Sequence, residues 1–174
     1  MKEFIVMALA ATPLLELRGS IPYAMLLDPV FPAWKALWLS VLGSWLPAFL
    51  IMYILEHAEP LIRKNKKTAQ VLDAIYRKTR AKSQQIKDLE FWGLVIFIGI
   101  PLPGTGVWTG VLAAYLLGLS KGQTIFAAFL GTSIAGVIMV FLSTYISAII
   151  RFGLMAIIAT VLAIMVYIWY SKRK

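Results

Sequence analysis

The sequence predicts an all-α integral membrane protein: an inverted repeat of re-entrant helical hairpin plus transmembrane helix, with an extra C-terminal transmembrane helix. Three observations predict it. The first is composition. Of 174 residues, 60% are hydrophobic and 14% are charged, where soluble domains run at about 45–50% and about 25%. Uncharged runs cover 36–55, 91–120, 122–150 and 152–171, each as long as the roughly 20 residues that a helix needs to cross a bilayer. The strands of about 10 alternating residues that mark a membrane β-barrel do not occur. The second observation is a repeat of the first half in the second. The third is the placement of the positive charge.

The repeat is read from matched positions. Leu42-Gly43-Ser44 precedes Leu130-Gly131-Thr132 by 88 residues, and Thr12-Pro13-Leu14 precedes Ile100-Pro101-Leu102 by the same offset. Glu3-Phe4 and Glu90-Phe91 are 87 apart, as are Gly19 and Gly106. Residues 1–56 form the first unit, 57–89 a linker, 90–150 the second unit, and 151–174 a last span with a basic tail. Duplicated units of this kind are common in transporters.

Each unit opens on an interrupted apolar segment. Residues 4–15 give about 18 Å of helix at 1.5 Å per residue. Then Pro13, Gly19 and Pro22 break the pattern before an arm to Leu27. Residues 91–99 meet Pro101-Leu102-Pro103-Gly104-Thr105-Gly106, and an arm continues to Gly118. Proline in a helix removes a backbone hydrogen bond and clashes with the preceding turn. Each segment is therefore either a kinked span or a hairpin that returns to its own side. With five simple spans, the basic loop 63–87 and the tail Lys172-Arg173-Lys174 fall on opposite sides. With two hairpins and three spans they share a side with Lys121, leaving Lys2, Lys35 and Arg151 opposite. Positive loops face the cytoplasm, so the charge selects the hairpins. The N-terminus is then outside the cell membrane, and the 57–89 loop and the C-terminus are cytoplasmic.

The linker carries Ala69, Leu72, Ile75, Tyr76 and Ile86 on a helical stripe among Lys and Arg, the pattern of an amphipathic helix on the headgroups. Gly43, Ser44, Gly131, Thr132, Ser133 and Gly136 predict close packing of the spans. Trp34, Trp38, Trp92 and Trp169 fit an aromatic belt. His57 reads as a headgroup residue. Glu16 and Arg18 interrupt the first apolar run, and no small-residue cleavage site follows, so the first 27 residues do not read as a signal peptide.

Net charge is +9, but it flanks apolar spans, which points to membrane lipids and away from nucleic acid. With no cysteine and one histidine, thiolate and histidine metal sites are excluded. No cofactor or phosphate-loop motif and no nucleophile–base pair is visible, so the chain reads as neither an enzyme nor an ATP-driven pump.

Glu16 and Arg18 are the charged residues deepest in an apolar segment, where such groups are costly and usually functional. At i, i+2 they share no helix face, so they meet only where the chain is unwound. Burial disfavours a carboxylate's charge, which makes Glu16 a candidate to load and release a proton. Arg18 offers a planar fork for phosphate or carboxylate. Alternatively Glu16 binds a cationic drug that Arg18 orients. The run Pro101–Gly110 is the second candidate: backbone N–H groups of a glycine-rich turn can cradle an anion, and Thr105 and Thr109 add hydroxyls.

Glu16-Leu17-Arg18-Gly19-Ser20-Ile21-Pro22 together with Pro101-Leu102-Pro103-Gly104-Thr105-Gly106-Val107-Trp108-Thr109-Gly110 resembles the small multi-drug export protein family, a distant relative of the DedA (VTT-domain) membrane proteins. The resemblance covers essentially the whole chain. It implies two re-entrant hairpins and proton-dependent handling of lipids, including recycling of polyprenyl-phosphate carriers and effects on drug tolerance. It also implies that Glu16 and Arg18 are the acidic and basic positions of the first hairpin. Many DedA proteins carry an arginine just before the proline of the second hairpin, where this chain has Gly99-Ile100-Pro101.

The expected function is a secondary, proton-coupled transporter of an amphipathic substrate, either a lipid phosphate moved as by a flippase or small drugs. Glu16, Arg18, Gly19, Pro22, Pro101, Pro103, Gly104, Thr105, Gly106 and Thr109 form the expected substrate and proton site. Three spans enclose little volume, and a homodimer would enlarge it. The alternative is a non-transporting scaffold or lipid-binding protein acting through its basic helix.

Overall fold

A computed structural model describes residues 1–27, 30–80 and 87–171. Within the helices, the side chains of 27, 78–80, 87–89, 147, 150–151, 153–154, 156–159 and 163–171 lie outside the description. Asp28, Lys82, Ile86 and the basic tail 172–174 therefore lie outside it, as does the side chain of Trp169. Seven helices make up the described residues: α1 (Lys2–Ala11), α2 (Glu16–Leu27), α3 (Ala33–Arg63), α4 (Lys66–Arg80), α5 (Lys87–Gly99), α6 (Val107–Leu117) and α7 (Lys121–Ser171). The all-helical expectation holds.

The breaks fall where proline dictates. α1 stops at Ala11, because Pro13 disfavours helical backbone in the residue before it. The Thr12 hydroxyl donates to the Leu9 carbonyl at 2.7 Å. α5 stops at Gly99, one residue before Ile100-Pro101. α6 ends in a left-handed Gly118 whose N–H donates to Ala114 and Tyr115 carbonyls. Proline does not always win: Pro22 lies inside α2, and Pro47 and Pro60 lie inside α3. The expected unwinding at Gly19 and Pro22 does not occur; α2 is helical through both.

α1 runs along α3 from the Glu3–Lys35 ion pair to the level of Gly43 and Ser44, whose hydroxyl donates to the Ala10 carbonyl at 3.0 Å. α2 then comes back, with Ser20 hydrogen-bonded to Ser40 at 2.7 Å and Ala24 buried beside Val6 and Ala36. α5 and α6 do the same from the other end. Phe91 stacks on Phe126 at 6.1 Å, Ile98 reaches Gly131, and Tyr115 is back at the Leu55 carbonyl. Lys121 pairs with Glu56 at 3.0 Å, so α7 starts where α3 ends.

The same contact recurs in both halves. A methyl carbon on Gly43 would press on the Met7 carbonyl and lie 2.8 Å from Ala10 Cβ. One on Gly131 would lie 2.7 Å from Ile98 Cβ and 3.0 Å from the Val95 carbonyl. Each residue of the second set is 88 positions after its counterpart. The helix pairs show the same exchange: α1 on α3 answers α5 on α7, and α2 on α7 answers α6 on α3. Leu94, Val95, Ile98, Val107, Val111, Ala127 and Ala128 form the main core with Ala48, Ile51 and Met52. The expectation of close packing at the small residues is met at Gly43, Ser44, Gly131 and Gly136, where a methyl carbon would lie 2.6 Å from Leu37.

Three boundaries differ from the sequence reading. The first helix, expected over 4–15, ends at Ala11 ahead of Pro13. α3 continues to Arg63, so residues 57–63 belong to it and not to the linker. α7 is continuous for 51 residues, with no turn near Arg151 between a second and a third span. Arginine is a good helix former, and Gly153 alone does not stop a helix. At 1.5 Å per residue it extends about 76 Å, against a hydrocarbon core of about 30 Å. Among the described residues, Ala33–Arg63 and Lys121–Ile146 are the helices long and apolar enough to cross a membrane. Trp34, Trp38 and Trp92 are exposed toward the ends of their helices.

Candidate functional site

The two interrupted segments meet at their breaks. Glu16 opens α2 with φ of 44°, a left-handed conformation that costs a non-glycine residue about 1–3 kcal/mol and that collects at functional sites. That twist reconciles the i, i+2 spacing with pairing. The carboxylate leaves the helix direction, and Arg18 Nη1 donates to Glu16 Oε2 at 2.8 Å. The pair is not left to itself. Arg18 Nη2 donates to Thr105 Oγ1 at 3.0 Å, and the Glu16 carboxylate accepts from the backbone N–H groups of Val107 and Trp108. Those are the first two residues of α6. A helix N-terminus leaves its first N–H groups without internal partners and carries partial positive charge. Glu16 fills that position and is only 4% exposed.

The second break is shaped to receive it. Gly104 has φ of 84° and turns the chain after Pro103. Thr105 Oγ1 donates to the carbonyls of Ile100 at 2.7 Å and Leu102 at 2.9 Å, alternatives that fix its lone pairs toward Arg18. Thr109 Oγ1 accepts the Gly106 N–H at 3.1 Å and donates to the Gly104 carbonyl at 2.9 Å. Gly106 is extended, at φ −165° and ψ −170°, so glycine is not needed for its backbone. It is needed for room, because a methyl carbon there would overlap both oxygens of the Glu16 carboxylate.

Of the expected site residues, Glu16, Arg18, Thr105 and Gly106 touch one another. Gly104 and Thr109 hold the turn beneath them. Gly19 sits one turn into α2, where its missing side chain makes room for Leu15. Pro22 lies on α2 about 9 Å along the axis from Glu16, and Pro101 and Pro103 shape the turn without reaching the pair. Sequence reasoning placed the anion cradle in the glycine-rich turn. The donors are Val107 and Trp108, inside the expected run Pro101–Gly110 but in the first turn of α6 and not in the glycine-rich turn itself. The signal was present: a proline–glycine turn running straight into an uninterrupted apolar helix marks a helix N-terminus.

Arg18 keeps capacity. Its side chain is 20% exposed, and its Nε is buried without a partner among the described residues. The site is therefore a buried carboxylate held by a guanidinium and two backbone donors, with the guanidinium's buried Nε–H to spare. Every group around Glu16 in this set is an anion receptor.

A second polar cluster escaped the sequence reading. Glu59 near the end of α3 accepts from Tyr115 of α6, from Tyr76 of α4 at 3.0 Å and from Arg63 at 2.7 Å. Arg63 also donates to Asp73 at 2.9 Å. α6 thus carries the Glu16 site at one end and this cluster at the other.

The family model described as "Putative small multi-drug export protein" matches residues 16–138. That span begins at Glu16, just after the first break, and takes in α2 to α6 with the second break and the first part of α7. No curated protein and no solved structure matches the chain.

Proposed function

Because the chain belongs to the small multi-drug export protein family, a membrane transport role is the premise, and we propose that it is a proton-coupled secondary carrier whose substrate is an amphipathic anion. One observation carries this reading: Glu16 occupies an anion site built from Arg18 and the N-terminus of α6. Helix N-termini bind phosphate and carboxylate through the same donors. Protonating Glu16 removes the charge those donors hold. Arg18 and the Val107 and Trp108 N–H groups then become available to an external headgroup, and the spare Arg18 Nε adds a donor. A lipid phosphate such as a polyprenyl phosphate has the matching chemistry.

The fold supports the rest of the proposal. The exchange of helix contacts between halves is what an inverted repeat requires. The two returning segments start from opposite ends and turn about 15–17 Å along α3 and α7, near the middle of a bilayer of about 30 Å. We read α1–α2 and α5–α6 as re-entrant hairpins, irregular backbone being tolerated at that depth only when buried in protein or lining a cavity. The basic α4 is then cytoplasmic and the N-terminus outside.

The linkage has a direction. An anion that needs Glu16 protonated moves with the proton, so an inward proton gradient drives it inward. A cationic drug competes with the proton for Glu16, so the same gradient drives it out. The family description, which names drug export, favours this second reading, and the two readings differ in the sign of coupling.

Proteoliposomes decide between them. Wild type and Glu16→Gln are loaded with a fluorescent short-chain polyprenyl phosphate, and its loss to an impermeant quencher is followed at two pH values and under imposed pH gradients of either sign. Fast loss that requires Glu16 and follows the proton supports the anion carrier. Flux of a cationic dye against the proton, without lipid movement, replaces it with the drug antiporter. If neither moves above empty liposomes while charge reversals in α4 abolish cellular function, the chain is a scaffold.

A further inference from the structure

α4 carries a feature that the carrier does not use. Its Tyr76 edge is buried against α3 and α6 through Glu59, but Val71 is 61% exposed and Ile75 41% exposed on a different face. With Ile62, Leu72, Thr68 and Lys67 they line a groove of about 380 Å³ between the end of α3 and α4. The wall is almost wholly apolar, and its polar edge is basic. Lys67 lines the groove, Lys64 and Lys66 are exposed in the α3–α4 connection beside it in sequence, and none has a carboxylate partner among the described residues, because Arg63 takes both Glu59 and Asp73. The α3–α4 angle that forms the groove is fixed by side chains. Asn65 Oδ1 accepts the Lys67 N–H at 3.0 Å, and the Glu59 cluster pins Tyr76.

We propose that this groove is a binding site for an anionic phospholipid of the surrounding leaflet, with one acyl chain along Ile62, Val71 and Ile75 and the headgroup phosphate on Lys64, Lys66 and Lys67. Charge complementarity selects the occupant. One lysine lining an apolar groove and two exposed lysines in the adjoining connection, none with an acidic partner among the described residues, at the end of a membrane-length helix, match an amphiphile with a negative head. A zwitterionic lipid would bring its own cation to the same lysines. A basic residue near an anionic membrane surface contributes about fivefold to binding. The site is separate from Glu16, which lies at the far end of α6.

The chain has no cysteine, so Val71→Cys in the full-length protein takes a single environment-sensitive fluorophore. The labelled protein is reconstituted in phosphatidylcholine vesicles containing a low mole fraction of either brominated phosphatidylglycerol or brominated phosphatidylcholine. Brominated acyl chains quench only when they touch the label. The expected result is at least fivefold stronger apparent quenching by the glycerol lipid at equal mole fraction. Lys64→Gln/Lys66→Gln/Lys67→Gln should remove that preference and leave quenching by phosphatidylcholine unchanged. These lysines are exposed, so the variant keeps its core, and retained intrinsic tryptophan emission checks this. Equal quenching by both lipids means a generic interfacial helix and overturns the proposal. So does quenching by neither, which would mean that α4 stands off the membrane. A preference that survives the triple substitution refutes the lysine assignment.

Discussion

Gly106→Ala isolates the contact on which the site depends. The backbone at 106 is extended, a conformation that alanine adopts freely, so the substitution adds a methyl group and no backbone strain. That carbon would lie 2.6 Å from Glu16 Cδ and closer still to both oxygens, where carbon contacts normally sit at about 3.5–4.0 Å. The carboxylate is the end of a flexible side chain and can swing away, which limits the cost to what it leaves behind. It leaves the Val107 and Trp108 N–H groups at α6. Hydrogen bonds to a charged group are worth about 1.5–3 kcal/mol each, and Glu16 keeps Arg18 while solvent recovers part of the loss. The net effect should be about 2–3 kcal/mol. The assay is reversible unfolding in mixed micelles followed by tryptophan fluorescence, run as a double-mutant cycle with Glu16→Ala. In the Glu16→Ala background the methyl group has nothing to hit, so Gly106→Ala should be nearly neutral there, giving a coupling energy of about 2–3 kcal/mol. An equal cost in both backgrounds would falsify the proposed seat of the carboxylate on α6.

Gly43→Ala and Gly131→Ala should each cost about 1–3 kcal/mol by overpacking. Gly93→Ala and Gly122→Ala, which meet open space, should be neutral or gain up to about 1 kcal/mol of helix propensity; four similar values in the same unfolding assay would contradict the paired contacts. Tyr115→Phe removes the donor to Glu59 and to the Leu55 carbonyl. Losing about 1–2 kcal/mol there should raise trypsin cleavage in α4, at Lys66, Lys67 or Arg77, by roughly fivefold or more, and an unchanged cleavage rate would mean that Tyr76 alone holds the helix.

The fold was legible where composition and proline set it. Uncharged runs announced α3 and α7, and Pro101 placed the second break; at the first, the helix expected over 4–15 stops at Ala11, before Pro13, and the chain is helical again from Glu16. The 88-residue offset located Gly43 and Gly131 before any contact was known. What stayed hidden depends on tertiary partners. No local pattern says that Glu16 adopts a left-handed backbone, or that its carboxylate crosses to Val107 and Trp108. Glu59 and Arg63 stand at i, i+4 spacing, but their use as a joint for Tyr76 and Tyr115 is set by residues 17 and 56 positions from Glu59. The continuous α7 was misread for a different reason. A single arginine between two apolar runs signals a loop in a hydropathy reading, but the backbone sees only a good helix former.

The second break carries a threonine, not a second arginine, at the position 87 residues after Arg18, and this has a physical reading in the arrangement. Arg18 bonds to Thr105, a residue 87 positions away, the offset that also relates Gly19 to Gly106. In the inverted repeat proposed above, a residue in contact with its own counterpart lies close to the axis relating the two halves. A faithful repeat of the charges would set two guanidinium groups side by side on that axis, at a cost of about 4 kcal/mol for unit charges 4 Å apart at an effective dielectric near 20. One tip can carry the ions only if the other supplies neutral donors and acceptors, as the Thr105 hydroxyl and the α6 N-terminus do. Thr105→Arg should therefore destabilise the protein by about 2–4 kcal/mol, since it adds a second cation and removes the acceptor for Arg18. The exchange Arg18→Thr/Thr105→Arg keeps a single cation near the axis and should recover at least half of that loss. An exchange no more stable than Thr105→Arg alone would show that steric fit at the break, rather than charge, keeps position 105 small.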